Sequence, residues 1–377
     1  MSRHIPTILT TFTIASFAAI FAPAVALAYT IDDAGGDCAT FGTWDGTTKT
    51  CTLDRDLTEG IEVLVSSVTI DGAGHAITGD GTGNGIYING DSRPFQPTHL
   101  TVENITIRNF SEGVFMHRSA HTTVRNSTFE GNTIGVHAHQ YFARGGVIEN
   151  VIEDNTFTGN TQAIGMLYAH QSTVSGNTIE GGANGIILSH SDFSTIENNS
   201  VSGMQYFGIG ISGMEGVVLR SNHVDTVSEG SGLDIGRIAS STISGNTVTR
   251  AHYGVNLSDF GALTFTDNTL ESSVVSGALF FYSGEYPGVN TLERNTIDGK
   301  PIIYREGATG ETFDESDDPA AFYCIHCSDV TLRGVALDHT SSPGAFSLTR
   351  RASRWMECRS QKGITQAWAL PPPQASC

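Results

Sequence analysis

The chain contains 377 residues with 39 acidic and 20 basic side chains, which gives a formal net charge of −19 at neutral pH. Such an acidic surface repels nucleic acids and anionic membranes, so nucleic-acid binding is excluded as a working hypothesis. The same charge disfavours long polyanionic ligands unless calcium or a local basic patch intervenes.

Residues 1–28 have the pattern of a secretory signal peptide. Arg3 lies near the start, an apolar stretch covers residues 8–20, and Ala26-Leu27-Ala28 forms a small-x-small cleavage site. We therefore predict export to the periplasm or the extracellular space. No later segment has the roughly 20 consecutive apolar residues of a transmembrane helix, so we expect no membrane span after signal removal.

Residues 29–60 are predicted to form an N-terminal cap, because the open end of a solenoid would otherwise expose unpaired strand edges. Cys38 and Cys51 bracket a short glycine-containing loop in this segment. Export favours a disulfide between them, and the loop-closure relation gives such a bridge about 3 kcal/mol of stabilisation.

A short phrase centred on asparagine recurs through the middle of the chain. Successive asparagines are 22, 22, 23, 24, 22 and 27 residues apart, at Asn155, Asn177, Asn199, Asn222, Asn246, Asn268 and Asn295. Asparagine suits a tight turn because it tolerates left-handed backbone. Between the turns, short alternations rich in Val, Ile and Thr predict β-strands.

One such repeat cannot bury its own inward side chains, so it must stack on its neighbours. Residues 61–340 are therefore predicted to form a parallel β-helix with an internal asparagine ladder. Residues 341–377, where the repeat vanishes, are expected to form a C-terminal cap or a poorly ordered tail, or to reflect an altered reading frame.

Two stretches resemble one known family. Residues 70–79, Ile-Asp-Gly-Ala-Gly-His-Ala-Ile-Thr-Gly, are similar to the opening coil of the NosD-like right-handed β-helix family. Residues 295–304, Asn-Thr-Ile-Asp-Gly-Lys-Pro-Ile-Ile-Tyr, resemble a late phrase of the same family. The resemblance implies an all-β, right-handed, single-stranded parallel β-helix. It implies no single function, because such solenoids serve as polysaccharide lyases, epimerases, copper-maturation accessories and non-catalytic surface proteins.

Cys324 and Cys327 form a C-x-x-C pair around His326. A second cysteine or histidine pair that would complete a zinc site is not found nearby, so we predict a disulfide or buried thiols. Pairing with Cys358 and Cys377 is left open.

Histidines gather on one predicted strand of neighbouring coils. When the strands are aligned on the glycine that leads each of them, alternate residues point outward. This alignment places His117 beside His139, and His170 beside His190, with His137 on the same face. The clustering is the main sign of a site outside the repeat itself.

A longer coil follows His139, and its surplus of about residues 141–147 forms a loop that contains Tyr141 and Arg144. A loop beside a polar strand face can make a binding groove in an otherwise regular solenoid. Arg118 ends the preceding strand on the same side.

Polysaccharide lyases and uronan epimerases abstract the proton at C5 of a uronate, which requires a base, positive charge and a proton donor. In their β-helix families an Asp-Pro-His-Asp phrase supplies part of this chemistry. Residues 135–140, Gly-Val-His-Ala-His-Gln, are similar in position but lack both aspartates and the proline. In this hypothesis His139 is the base, Arg144 and Arg118 neutralise the carboxylate, and Tyr141 donates a proton. The predicted substrate contacts are His117, His137, His170 and His190.

The leading hypothesis is thus an exported monomer that binds an extracellular polysaccharide and processes it as a lyase or C5-epimerase. The first alternative is a NosD-like periplasmic copper-binding accessory, which would use the same histidines because imidazole suits copper. The second is a non-catalytic surface or adhesion scaffold. Calcium and copper are the candidate cofactors, and the choice between catalysis and binding alone stays open.

Overall fold

The computed structural model describes residues 29–90, 97–139, 149–271, 279–282, 288–325, 327–335 and 346–347. The predicted signal peptide and residues 348–377, with Cys358 and Cys377, lie outside these ranges. Within them the chain winds into a parallel β-helix, and each regular coil contributes strands to three faces.

The first face is a sheet of short strands that pair in parallel and in register from coil to coil. The middle residue of each strand points inward, as at Val124, Ile152 and Val174, which are fully buried. These inward residues form one wall of the core. The strands are Thr50–Leu53, Thr69–Asp71, Thr101–Glu103, Thr123–Arg125, Val151–Glu153, Thr173–Ser175, Thr195–Glu197, Val218–Arg220, Thr242–Ser244, Thr264–Thr266 and Thr291–Glu293.

The second face also consists of short parallel strands, and its inward row includes Phe129 and Phe157, whose rings stack at 4.9 Å. Its separate strands are Ala76–Thr78, Thr106–Arg108, Thr128–Glu130, Thr156–Thr158, Thr269–Glu271 and Thr296–Ile297.

The third face carries longer strands. They are Tyr29–Ile31, Ile61–Val63, Asn84–Asn89, Glu112–His117, Ile134–His139, Gln162–Leu167 and Leu279–Tyr282. Four further strands continue around the corner from the second face to the third. They are Thr178–Ser189, Ser200–Glu215, His223–Ala239 and Thr247–Gly261.

The predicted asparagine ladder is present at the corner between the first and second faces. Each side-chain oxygen accepts a hydrogen bond from the backbone N–H of the ladder residue one coil earlier, as Asn199 does from Asn177 at 3.0 Å. The predicted backbone conformation is wrong in one detail. The left-handed residue is the one before the ladder position, such as Asn198 with φ of 55°, because that residue turns the chain.

The chain enters the solenoid through residues 29–60. The strand Tyr29–Ile31 pairs in parallel with Ile61–Val63, and a short helix, Cys38–Phe41, follows it. The strand Gly42–Asp45 then pairs antiparallel with Thr50–Leu53. The Cys38–Cys51 disulfide is present, as predicted, and ties the helix to the first face. The cap role of this segment and the boundaries at 28, 60 and 340 stay predictions.

The last described coils depart from the regular pattern. Strands Lys300–Glu306, Ala321–Ile325 and Phe346–Ser347 pair in parallel, as do Thr312–Asp314 and Thr331–Arg333. The acidic loop between them forms a 3-10 helix, Glu315–Asp317. Cys324 and Cys327 are joined by a disulfide, which fits the prediction and leaves neither thiolate for zinc.

Candidate functional site

The outer surface of the third face carries the predicted histidines. In the strands Asn84–Asn89, Glu112–His117 and Ile134–His139, the inward residues are almost fully buried, so the residues between them point outward. The strand register places Phe115 between Tyr87 and His137 in one outward row. A second row contains His117 beside His139.

Five rings in these two rows lie nearly parallel to one another. Along the first row, ring centroids are 5.4 Å apart for Tyr87 and Phe115 and 5.1 Å for Phe115 and His137. Across the rows, the centroid distance is 5.4 Å both for Phe115 and His117 and for His137 and His139. We call these five residues the ring array. Interplanar angles of 13° to 21° make it a continuous stacked surface.

Polar side chains border the ring array. Glu112 Oε1 lies 3.0 Å from His137 Nδ1, and both side chains are largely buried, with 21% and 12% exposure. The other carboxylate oxygen, Glu112 Oε2, is shielded from solvent and has no hydrogen-bond partner among the described residues. On the opposite side, Asn89 Nδ2 donates to Glu62 Oε1 at 2.7 Å.

The two histidines of the second row, His117 and His139, are shielded from solvent to different degrees. Burial, together with a smaller effect of the neighbouring His137 and His117, lowers the pKa of His139 from 6.5 to about 4. His139 is therefore neutral at physiological pH. His117 is only 5% exposed, and its Nδ1 lies 3.5 Å from Tyr87 Oη.

The prediction that His170 lies beside His190 is wrong. His190 instead lies against Tyr168, with ring centroids 5.0 Å apart and ring planes tilted by 36°. His170 lies two residues further along its coil, where its Nδ1 is 3.4 Å from Asp192 Oδ2. These two histidines therefore belong to the end of the third face and do not join the ring array.

The error comes from the glycine used to align this coil. His137 pairs with Gly165, so the residue that matches Gly135 is Ala163. Alignment on Gly165 instead of Ala163 shifted the predicted strand by two residues. A shift of two residues leaves the same side chains pointing inward and outward, so the burial pattern did not reveal the error.

The remaining predicted residues are placed as follows. Arg118 occupies the corner after the strand Glu112–His117, with a positive φ of 52°. Tyr141 and Arg144, like the whole predicted loop at 141–147, lie outside the described residues. The roles assigned to these three side chains stay predictions.

Two site residues escaped the sequence analysis. Glu112 precedes the glycine that leads its strand, and the alignment considered only residues after that glycine. Tyr87 follows Gly85 in the coil before the first one aligned. Extending the same glycine alignment by one coil and by one residue would have found both.

Past the ring array the first row continues through Gly165 and Ile187, and then becomes a strip of small and polar residues. Gly210, Asp234 and Asn256 follow one another in the first row, and Asn256 Nδ2 donates to Asp234 Oδ1 at 2.6 Å. Burial raises the pKa of the Asp234 carboxyl, against a smaller opposing effect of this hydrogen bond. The neighbouring row contains Ser212 and Gly236.

Across the described ranges, no three histidine, cysteine or acidic side chains are grouped so that they could hold a metal ion. None of the helices in the described part of the chain has the length and apolar character needed to cross a bilayer.

Two family models match the chain. The model described as "Periplasmic copper-binding protein (NosD)" matches residues 66–236. The model described as "Right handed beta helix region" matches residues 163–317. These matches confirm the predicted fold class, its handedness and the family resemblance.

Solved structures with a similar fold include a tailspike protein of E. coli bacteriophage HK620 in complex with a pentasaccharide. It is 13% identical, with 78% of this chain and 67% of that chain covered and a TM-score of 0.43. An alginate lyase from Paenibacillus sp. str. FPU-7 is 15% identical, with 66% and 99% covered and a TM-score of 0.40. No curated protein sequence matches the chain.

Proposed function

We propose that this chain, a member of the NosD-like right-handed β-helix repeat family, is an exported protein. We further propose that it binds an extracellular polysaccharide on its third face. The ring array is the observation that carries this proposal. Two disulfides within the described residues support export, because disulfides persist mainly in oxidising compartments.

Aromatic and imidazole rings on a solvent-facing strand surface suit a sugar, whose C–H groups stack on ring faces while its hydroxyls seek hydrogen bonds. Phe115 has no polar atom of its own, so its outward position is not explained by hydrogen bonding. Glu62, Asn89 and Glu112 supply acceptors and donors at the border of the array. A mostly apolar surface with a few fixed polar groups is typical of ligand sites.

Binding along the solenoid axis would let one glycan chain contact several coils. Consecutive coils are about 4.8 Å apart, the spacing of paired strands. The polar strip from Gly210 to Asn256 extends the same outward row beyond the ring array. Gly165 and Ile187 lie between the ring array and this strip in the same row, so a glycan that follows the row crosses one aliphatic side chain before it reaches the polar strip.

The finer proposal is that bound uronan is cleaved or epimerised. The reaction begins with removal of the C5 proton by an imidazole. In cleavage the released electron pair forms the C4–C5 double bond, the C4–O bond breaks, and the leaving oxygen takes a proton from solvent. In epimerisation a proton returns to C5 from the opposite side. The imidazoles of the ring array are the candidate proton acceptors.

Binding is tested by affinity electrophoresis and calorimetry with alginate, pectate and a neutral glucan, with and without calcium. Phe115→Ala is expected to weaken binding about 2- to 10-fold, the range for loss of one aromatic stacking contact. Phe193→Ala is the matched control, because Phe193 is 58% exposed and lies outside the ring array. If both variants bind with equal affinity, or if the protein binds none of the polymers, the proposed glycan site on the ring array is rejected and the protein is better described as a scaffold.

Processing is tested by proton NMR of the uronan samples after incubation with the protein. New unsaturated or epimerised uronate signals that disappear in a histidine variant of the ring array would establish catalysis. Unchanged polymers that still bind would leave a binding protein.

The second candidate function is copper binding, favoured by the family model that matches residues 66–236. The neutral state of His139 also suits a metal, since coordination requires an unprotonated imidazole. Calorimetric titration of the protein with copper, with a chelator control, tests it directly. Binding weaker than that of free histidine would reject this candidate.

A further inference from the structure

We propose that Gln162 determines which sugar the third face accepts, and that its side-chain amide binds a pair of neighbouring hydroxyls on the sugar that stacks on His137. This role rests on the glycan function proposed above and specifies the part of the ligand that is recognised. It requires one position of the Gln162 amide, which can be measured without any ligand.

The side chain of Gln162 reaches out of its own row into the first row. The strand register pairs Gln162 with Ile134 and Asn184, whereas the first-row position of its coil is Gly165. A Cβ atom built on Gly165 would clash with Gln162 Nε2 and would lie 3.4 Å from Gln162 Cδ. The Gln162 amide therefore occupies the place that a first-row side chain would take.

The glycine at position 165 is explained by this amide. Its φ lies outside the left-handed range, so the backbone conformation does not require glycine here. Its neighbours in the row, His137 and Ile187, both have large side chains. Because any Cβ atom at this position meets the amide nitrogen of Gln162, only glycine leaves the amide where it is.

The Gln162 amide borders the ring array at His137. The Cβ atom built on Gly165 would lie 3.7 Å from His137 Cδ2, so the amide and this edge of the imidazole meet at one position of the row. The other side of the imidazole is bound by Glu112, whose Oε1 lies 3.0 Å from His137 Nδ1. A sugar ring that stacks on Phe115 and His137 would have its edge, from which the hydroxyls project, next to the amide.

The Gln162 amide keeps most of its hydrogen-bonding capacity. A side-chain amide offers two N–H donors and a carbonyl oxygen with two lone pairs. Among the described residues, its one hydrogen bond runs from Nε2 to the carbonyl oxygen of Ile164 at 3.3 Å, longer than the usual upper limit of about 3.2 Å. The second N–H and Oε1 are therefore open to a ligand.

A donor and an acceptor on one uncharged group suit two neighbouring hydroxyls, because one hydroxyl accepts from Nε2 while the next donates to Oε1. A carboxylate only accepts, so it could use the N–H group but would place its negative charge against Oε1. Glu112 and the net charge of −19 add to this repulsion. The ligand group that Gln162 recognises is thus a diol, on a neutral sugar or on a uronate whose carboxylate points away.

NMR of protein labelled with ¹³C and ¹⁵N tests the position of the amide. Gln162→Ala identifies the side-chain NH₂ signals of Gln162 by their loss. We expect a nuclear Overhauser effect between these protons and the α-protons of Gly165. Gln171 is the internal control, because it is exposed at a corner of the same coil, outside the third face. If the wild type shows no contact between Gln162 and Gly165, the proposal is overturned.

Recognition is tested by calorimetry with gluco-, manno-, galacto- and uronic oligosaccharides, which differ in the configuration of single hydroxyls. Gln162→Ala should weaken binding of the preferred sugar about 2- to 10-fold and reduce its advantage over the epimers by a similar factor, because a hydrogen bond to a hydroxyl is lost. Gln171→Ala is the matched control and should change neither quantity. Phe115→Ala should weaken all sugars alike, since stacking does not distinguish hydroxyl configurations.

The two proposals can fail separately. If Phe115→Ala weakens binding but Gln162→Ala changes neither affinity nor selectivity, the role of Gln162 is rejected and the glycan function stands. If the wild type binds none of the sugars, the glycan function is rejected and the recognition role of Gln162 falls with it.

Gly165→Ala separates the position of the amide from its presence. This variant retains Gln162 but displaces the end of its flexible side chain, so it should lose the nuclear Overhauser contact and the selectivity as Gln162→Ala does. Both changes in one protein should weaken binding no more than Gln162→Ala by itself. Losses that add would contradict a shared role. Circular dichroism checks the fold, and if Gly165→Ala does not fold, Gln162→Ala and Gln162→Leu decide.

Discussion

Asn199 Oδ1 accepts hydrogen bonds from both the backbone N–H and the Nδ2 group of Asn177, at 3.0 and 2.9 Å. The same pair of contacts recurs between Asn199 and Asn222. Each ladder amide also donates from Nδ2 to a backbone carbonyl of the preceding coil, as Asn199 does to Val174 O at 2.9 Å. The ladder supplies hydrogen-bond partners to backbone N–H and C=O groups that are buried at the corners and would otherwise be unpaired.

Replacing Asn199 by alanine should lower the free energy of unfolding by about 3 kcal/mol or more. The change leaves the buried backbone N–H of Asn177 unpaired, at about 1–3 kcal/mol. It also removes the hydrogen bond from Asn177 Nδ2 and those that the Asn199 amide donates to Val174 O and Asn222 Oδ1. Calorimetric unfolding measures the loss. Thr195→Ala, an outward substitution in the same coil, is the control and should change stability by less than 1 kcal/mol, roughly the range for surface substitutions. Similar losses in the two variants would contradict the account of the ladder.

Removing the Cys38–Cys51 disulfide should destabilise the protein more than removing Cys324–Cys327. The sequence separations are 13 and 3 residues, and loop-closure entropy grows with loop length. The double variants Cys38→Ala/Cys51→Ala and Cys324→Ala/Cys327→Ala are compared by thermal unfolding without reductant. The expected loss for the first is about 3 kcal/mol. A larger loss for the second would show that native-state strain or packing outweighs chain entropy.

Stability should depend on His139 between pH 6.5 and about 4. The folded pKa of His139 is lowered from 6.5 to about 4, so in this range the unfolded chain binds more protons than the folded one. The free energy of unfolding is therefore highest above pH 6.5 and falls as the pH approaches 4. His139→Gln should flatten this part of the profile, whereas substitution of the exposed His223 should not. Parallel profiles for wild type and His139→Gln would contradict the lowered pKa.

Gly135→Val should destabilise the core beneath the ring array. A Cβ atom at this position would lie 2.7 Å from Phe157 Cδ1 and 2.6 Å from the carbonyl oxygen of Ala163. Overpacking of this kind typically costs about 1–3 kcal/mol. Gly46→Ala is the control, because the added Cβ atom would lie 3.5 Å from Trp44 Nε1, an ordinary van der Waals distance. A Gly135→Val protein as stable as the control would show that the coil widens without strain.

The architecture was predictable from local patterns, since the spacing of Asn177, Asn199 and Asn222 reports directly on the length of one coil. The Cys38–Cys51 pair was predictable for the same reason, as both residues lie in one short loop. Side-chain period alone also placed His117 beside His139. Each of these features depends on residues that are close in sequence or repeat at a constant interval.

The Glu112–His137 contact was not predictable in the same way. It joins residues 25 apart, and it depends on which outward position of one coil faces which position of the next. The shift at Gly165 shows how easily that register is lost, because two-residue displacements preserve the alternation of buried and exposed side chains. Ring distances and the shielding of Glu112 Oε2 depend on three-dimensional packing that no periodicity encodes.

The corner hydrogen bonds of the ladder are nearly identical from Asn155 to Asn295. A coil is consequently interchangeable with its neighbours wherever its outward residues carry no ligand. Excision of residues 200–222 would bring Asn199 into the place of Asn222 and rejoin the ladder without a mismatch. The molecule can thus lengthen or shorten in evolution by whole coils, and the reach of its third face changes in steps while the rings at Phe115 and His137 keep their mutual positions.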